Sequence, residues 1–236
     1  MTEYIPYWTI IQNIPAQFRQ TNTKPLPMEK LDINNGNGQS YGYIVYRKTL
    51  SLRPGMTLTI RGHPRDIVQV MVNGVQINSP IYDLADLGRT FGSWGLRDAS
   101  LELPSDLEDC EAGCTLDLMV ENLGRANFGA PHNFEQKKGL WEGDVLLDGQ
   151  ILLDWEHIAV ELLPSWLESL GTSWQPYVAG ENRQVGPRLI RGVLTLQDPP
   201  PTGSVYPDTF FDYDCASCQV SVKYRNFVSV VCQCIR

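Results

Sequence analysis

The chain has 236 residues, room for one large domain or two modest ones, and its apolar share of 42% can fill a substantial core. A net charge of −8, from 27 acidic against 19 basic side chains, argues against nucleic acid or an anionic membrane as partner, since both select a basic footprint. No apolar run approaches the ~20 residues of a membrane-spanning helix, and six Trp, ten Tyr and seven Phe argue against a disordered chain.

Residues 1–20 lack the basic start and continuous apolar stretch of a secretory signal, because Pro6 and Pro15 interrupt them. A chain starting at Met1 is expected to stay in the cytosol. Residues 1–40 read as irregular, with Pro25, Pro27 and the Asn34-Asn35-Gly36-Asn37-Gly38 run marking a linker and a turn.

Short strand signals follow. Residues 42–50 (GYIVYRKTL) are aromatic and β-branched, with Tyr43 and Val45 on one face, and residues 56–61 (MTLTIR) alternate apolar and polar. Residues 67–77 (IVQVMVNGVQI) place Asn73-Gly74 between two apolar arms, the strongest hairpin signal in the chain. Residues 78–113 read as a long polar insertion. Residues 115–122 (TLDLMVEN) set Leu116, Leu118 and Val120 on one face, and residues 144–155 (DVLLDGQILLDW) form a second hairpin turning at Asp148-Gly149. The one helical candidate is residues 164–170, with Pro164 at its start and Gly171 at its end. A strand is expected from Arg188 (RLIRGVLTL), then a stiff loop at Pro199-Pro200-Pro201, then weaker strand signals over 209–213 and 220–232. Period-two alternation with regular turns predicts an all-β chain, a sandwich or barrel.

The six cysteines fall into three close pairs, Cys110/Cys114, Cys215/Cys218 and Cys232/Cys234. The last four are loosely zinc-like, but structural zinc sites prefer wider spacing inside each pair. Free thiols or disulfides at strand ends are the simpler reading, and no metal or other cofactor is expected. His63, His132 and His157 stand apart and match no metal or triad motif. Asp66 follows His63 by three residues, which on a strand puts the two on opposite faces. Glu102, Asp106, Glu108, Asp109 and Glu111 read as a solvated acidic loop, and Glu142 and Asp144 as exposed turn residues.

Six stretches, in order, resemble the C-terminal β-domains of family 35 glycoside hydrolases, the β-galactosidases and β-galactosidase-like proteins. They are residues 41–50 (YGYIVYRKTL), 62–74 (GHPRDIVQVMVNG), 116–129 (LDLMVENLGRANFG), 139–155 (GLWEGDVLLDGQILLDW), 191–196 (RGVLTL) and 208–212 (DTFFD). The third is the most specific. The resemblance implies an irregular leader over 1–28, a first all-β domain over 29–160 with a β-sandwich or jelly-roll fold, an incomplete galactose-binding-like jelly roll over 161–213, and a divergent tail over 214–236.

The family joins such domains to a catalytic (β/α)8 barrel, which needs about 250 residues of alternating strand and helix. This sequence has no such alternation, and none of its residues matches the family's catalytic acid or nucleophile. No catalytic role is therefore transferred, and the chain alone is expected to be inactive. The implied role is accessory to a barrel, with lysosomal or secreted placement inside a longer family member. Arg125 and Asn127 are expected to pin a loop, Arg125 by tying loop carbonyls or a carboxylate such as Glu121. Phe128 stands where the family usually has Tyr. The alternative is a galactoside-binding, lectin-like module, for which Trp94, Trp141, Trp166 and Trp174 are the candidate ring platforms.

Overall fold

The structure, a computed structural model, describes residues 2–81, 83–108, 110–178 and 186–192. In chain order these form β1 (Thr2–Pro6), α1 (Tyr7–Gln12), β2 (Arg19–Asn22), β3 (Tyr43–Leu52), β4 (Thr57–Ile60), β5 (Ile67–Val72) and β6 (Val75–Gln76). Then come β7 (Ala99–Glu102), β8 (Cys110–Glu121), β9 (Val145–Leu147), β10 (Gln150–Ile151), β11 (Trp155–Val160), α2 (Pro164–Ser169), β12 (Gln175–Pro176) and β13 (Arg188–Gly192). All pairing between these strands is antiparallel.

The larger compact unit covers residues 11–171. It holds a six-stranded sheet in the order β2-β11-β3-β8-β5-β6 and a four-stranded sheet in the order β10-β9-β4-β7. Alternate residues of each sheet meet in one core: Ile44 and Tyr46 of β3, Val68 and Val70 of β5, Leu116, Leu118 and Val120 of β8, facing Leu58 and Ile60 of β4 and Val145 and Leu147 of β9. This is the period-two pattern read from the sequence, and it makes a β-sandwich. Trp155 is fully buried in that core, with Nε1 donating to the Leu152 carbonyl at 3.0 Å. Tyr43 and Val45 share a face as expected, but Ile44 and Tyr46 are equally buried, so β3 is a central strand covered on both sides.

Both hairpins form at the expected turns. Asn73 and Gly74 sit at φ 49° and 81°, Asp148 and Gly149 at 47° and 77°, the left-handed pairs that match the twist of the flanking strands. β8 carries an irregularity against β3: Leu50 faces Cys114 and Leu52 faces Cys110, so two steps on one strand span four on the other. A Cys110–Cys114 disulfide clasps the excess. The four C-terminal cysteines, the proline triplet and the strands expected over 209–213 and 220–232 lie outside the described residues, as does the continuation of β13 beyond residue 192.

Three expectations change. Residues 1–40 are not irregular throughout, since β1, α1 and β2 lie there. β1 carries little local signal because its partners are remote: it pairs with β12 and β13 in a separate unit built from residues 1–10 and 172 onward. Residues 78–113 are not an insertion of loop alone. Ala99, Leu101 and Leu103 alternate into the core, and β7 pairs with β4 to complete the smaller sheet. Much of the rest lies along the edge of β5, where buried Asn78 accepts from Val70 N–H (2.8 Å) and donates to Val68 and Phe91 carbonyls (3.1 and 3.3 Å). The compact unit also runs past both limits expected for the first domain.

Candidate functional site

One end of the sandwich gathers the chemistry. β8 ends there at Glu121, β5 begins there at Ile67, and residues 122–142 return across it before β9. The segment is tied down at its base. Asn122 donates to the Ser40 carbonyl at 3.0 Å and accepts from Gly124 N–H at 2.9 Å. Arg125 donates to the same carbonyl at 2.8 Å and ion-pairs with Glu29. Lys138 is 1% exposed, and its ammonium meets both oxygens of Asp66 at 2.9 and 2.7 Å and Gln136 Oε1 at 3.0 Å. Asp66 also accepts Leu123 N–H at 2.8 Å. A charge buried this deeply is tolerable only because each side is paired and hydrogen-bonded.

Arg65 and Gly139 exchange backbone hydrogen bonds, joining the β5 approach to the returning segment. Gly139 has φ 111°, and a Cβ there would run into the Tyr46 hydroxyl. That hydroxyl donates to the Leu26 carbonyl at 2.7 Å and accepts Leu140 N–H at 2.9 Å, so glycine is required by the backbone angle and by the close approach. Burial holds the Tyr46 phenol well above its ordinary pKa. Nearby, Glu142 accepts from Arg65 at 2.8 Å and from His63 N–H at 3.1 Å.

Between these parts lies an open hollow of about 790 Å³, lined by Arg65, Glu135, Gln136, Lys137, Trp141 and Glu142 among others. Beside it, residues 123–134 present apolar groups to solvent: Phe128 is 91% exposed, and Leu123 and Phe134 about half.

Below this end, Glu121 is buried, with Oε1 3.4 Å from the Tyr43 hydroxyl and no partner for Oε2 among the described residues. Burial raises its pKa to about 7, opposed by the Tyr43 hydrogen bond and reinforced by the Asp66 charge. His157 is buried in the core. It accepts Leu26 N–H at Nε2 (2.9 Å), which leaves Nδ1 to donate to the Trp155 carbonyl at 3.1 Å. Burial lowers its pKa to about 4.

The sequence-derived residues do not converge. Trp141 lines the hollow, 37% exposed. Trp94 is exposed, and its carbonyl lies 3.1 Å from His63 Nδ1. Trp166 is buried, with Nε1 donating to the Asn13 carbonyl at 3.0 Å, so it is a packing residue and not a sugar platform. Trp174 lies under the Arg191 guanidinium, 4.4 Å from its ring centre, in the separate unit. Arg125 bonds to the Ser40 carbonyl and pairs with Glu29, not with Glu121. Asn127 and Phe128 are exposed. Glu142 is ion-paired and part-buried, not an exposed turn residue. Glu102, Asp106 and Glu108 are exposed as expected, while Asp109 and the Glu111 side chain lie outside the described set. Sequence reading missed Glu29 and Lys138 and weighed Asp66 only against His63; no spacing connects the three.

Among the described residues no three His, Cys, Asp or Glu side chains gather as metal ligands. Asp66 and Glu142 are each held by a cation, Lys138 and Arg65.

Residues 96–161 match the model of the β-galactosidase first all-beta domain. Human β-galactosidase-1-like protein 3 is 32% identical over 194 residues, 81% of this chain and 25% of that protein. β-Galactosidase 17 of Arabidopsis thaliana is 32% identical over 142 residues, 59% of this chain and 18% of its own length. The β-galactosidase of Xanthomonas manihotis is 30% identical over 178 residues, 75% and 24% of the two chains. The chain thus spans about a quarter of the length of the curated relatives it matches. It is a β-galactosidase-like all-β chain, corresponding to the β-domain region of family 35 glycoside hydrolases.

Proposed function

We propose that this chain serves as the non-catalytic β-domain region of a β-galactosidase-type glycosidase, packing against a catalytic barrel through residues 123–134. The observation that carries this reading is Phe128, 91% exposed between half-exposed Leu123 and Phe134 on a segment whose base is fixed by ion pairs. Apolar side chains held out together on an anchored segment suit a surface that another body covers. The relatives' far greater length supplies room for such a body. The substrate of the whole protein is then a β-galactoside, by likeness to those relatives. The lectin-like reading, with Trp94, Trp141, Trp166 and Trp174 as its candidate platforms, is not carried forward.

An antibody raised to residues 139–155 tests the proposal on the endogenous protein. A species longer than this chain by at least about 250 residues that hydrolyses a β-galactoside supports it. A species of 26.6 kDa, or hydrolysis by the 236-residue chain alone, overturns it.

A further inference from the structure

The Asn34-Asn35-Gly36-Asn37-Gly38 run and the Asn73-Gly74 turn hold three Asn-Gly pairs, and the accessory reading uses none of their side chains. In such a pair the glycine nitrogen can attack the asparagine amide carbon, because glycine carries no Cβ to hinder the approach. The fold decides which amide and which nitrogen are free to meet. Asn73 is held at both ends of its amide: Oδ1 accepts Thr115 N–H at 2.9 Å, Nδ2 lies 3.5 Å from Cys110 Sγ, and Gly74 beside it is buried. Asn37 donates Nδ2 to the Asn34 carbonyl at 2.8 Å. Gly38 after it is buried so close to the Glu29 backbone that a Cβ there would clash.

Asn35 differs from both. It is exposed, and its side chain makes no hydrogen bond among the described residues. It sits at φ 58° before Gly36 at φ 81°, where the Cβ side of Gly36 is open space. Gly36 N–H donates to the Ile33 carbonyl at 3.1 Å, but that carbonyl also accepts Gly38 N–H at 3.2 Å. Releasing Gly36 N–H therefore strands no acceptor. Asn34 meanwhile anchors the turn, donating Nδ2 to the Gly38 carbonyl at 2.9 Å and to Glu161 Oε1 at 2.7 Å. The geometry points to Asn35 as a site of spontaneous deamidation, its amide exchanged for a carboxylate through a cyclic imide with Gly36. The Gly36 nitrogen forms a bond to Asn35 Cγ, the Cγ–Nδ2 bond breaks, and the proton from Gly36 leaves on the departing ammonia. Water then opens the imide at either carbonyl and loses a proton to solvent, which yields aspartate or isoaspartate. Isoaspartate routes the backbone through Cβ inside the turn that Asn34 ties to Glu161, and either product makes the chain one charge more negative than −8.

The test ages the full 236-residue chain in mildly alkaline buffer, once folded and once in guanidinium. Tryptic peptides 31–47 and 66–89 are then mapped by mass spectrometry, with fragmentation that separates isoaspartate from aspartate. In guanidinium the three pairs convert at similar rates, since the dipeptide is the same. In the folded chain Asn35 converts at least about tenfold faster than Asn37 or Asn73, whose amides must first release their bonds. Asn35→Gln, checked for fold by circular dichroism, removes the product from peptide 31–47, because the longer side chain does not close the same ring. Comparable rates at the three pairs in the folded chain, conversion of Asn37 or Asn73 ahead of Asn35, or no conversion of folded Asn35 over a period that exhausts it in guanidinium overturns the proposal. None of these outcomes bears on the accessory reading, which the endogenous mass tests separately.

Discussion

The Lys138 ammonium lies 2.7 Å from Asp66 Oδ2, and both side chains are almost wholly out of solvent. The pair joins the approach to β5 to the segment returning toward β9, and through Leu123 N–H it also reaches the end of β8. Replacing Lys138 by Met strands a buried carboxylate, so Lys138→Met is expected to cost roughly 3–5 kcal/mol. Adding Asp66→Asn removes the orphaned charge while keeping an acceptor for Leu123 N–H, and recovers most of the loss. Urea midpoints of the two variants check this.

Glu121 and His157 give the fold opposite responses to pH. Folded Glu121 keeps its proton up to about pH 7, whereas the unfolded group releases it near 4.5. Its contribution to stability is therefore full below pH 4.5 and lost as pH rises through 7. His157 runs the other way: its contribution is full above pH 6.5 and lost as pH falls toward 4. Wild-type stability should vary little between 4.5 and 6.5, where the two oppose each other. Glu121→Gln removes one arm. Calorimetry should find it more stable than wild type at pH 8 by on the order of 3 kcal/mol, equal to it at pH 4, and visibly weaker at pH 5 than at pH 7.

Gly139→Ala should lower stability by at least about 2 kcal/mol, because a Cβ there displaces the Tyr46 hydroxyl and unmakes its bonds to Leu26 and Leu140. Adding Tyr46→Phe should soften the clash without restoring wild-type stability, as the Leu26 carbonyl stays unpaired. Denaturant melts of the single and double variants distinguish the two effects.

Reduction of Cys110–Cys114 opens only a short loop. A Cys110→Ser, Cys114→Ala variant should lose about 2 kcal/mol on the chain-entropy account. Non-reducing peptide mapping should recover the two residues in one linked fragment.

Phe128→Ser is expected to leave the unfolding free energy of this chain, from urea melts, within about 0.5 kcal/mol of wild type, because the ring is almost fully exposed. In the longer protein of the accessory reading, the same change should lower thermal stability. Equal melts in both contexts would mean that nothing covers Phe128.

Local chemistry made the hairpins legible. Asn73-Gly74 and Asp148-Gly149 name their own backbone angles, and Leu116, Leu118 and Val120 alternate without interruption. β1 was illegible because its partner β13 lies more than 180 residues away in sequence and only Ile5 and its neighbours mark a buried face. β7 was hidden by its setting, although Ala99, Leu101 and Leu103 do alternate. Of the site, the 116–129 stretch and Arg125 could be read directly. The Glu29, Asp66 and Lys138 anchors could not, because ion pairs across a fold leave no periodic trace.

The strand order of the six-stranded sheet also governs how the chain is made. β3 is synthesised early, yet one of its two neighbours, β11, ends at Val160. Until that residue leaves the ribosome, β3 keeps an open edge while β8 and β5 are already available to pair on its other side. Non-local strand closure of this kind is slow and exposes sticky edges. Nascent chains stalled between residues 122 and 160 should therefore be the form that chaperones retain, and release should follow the arrival of β11.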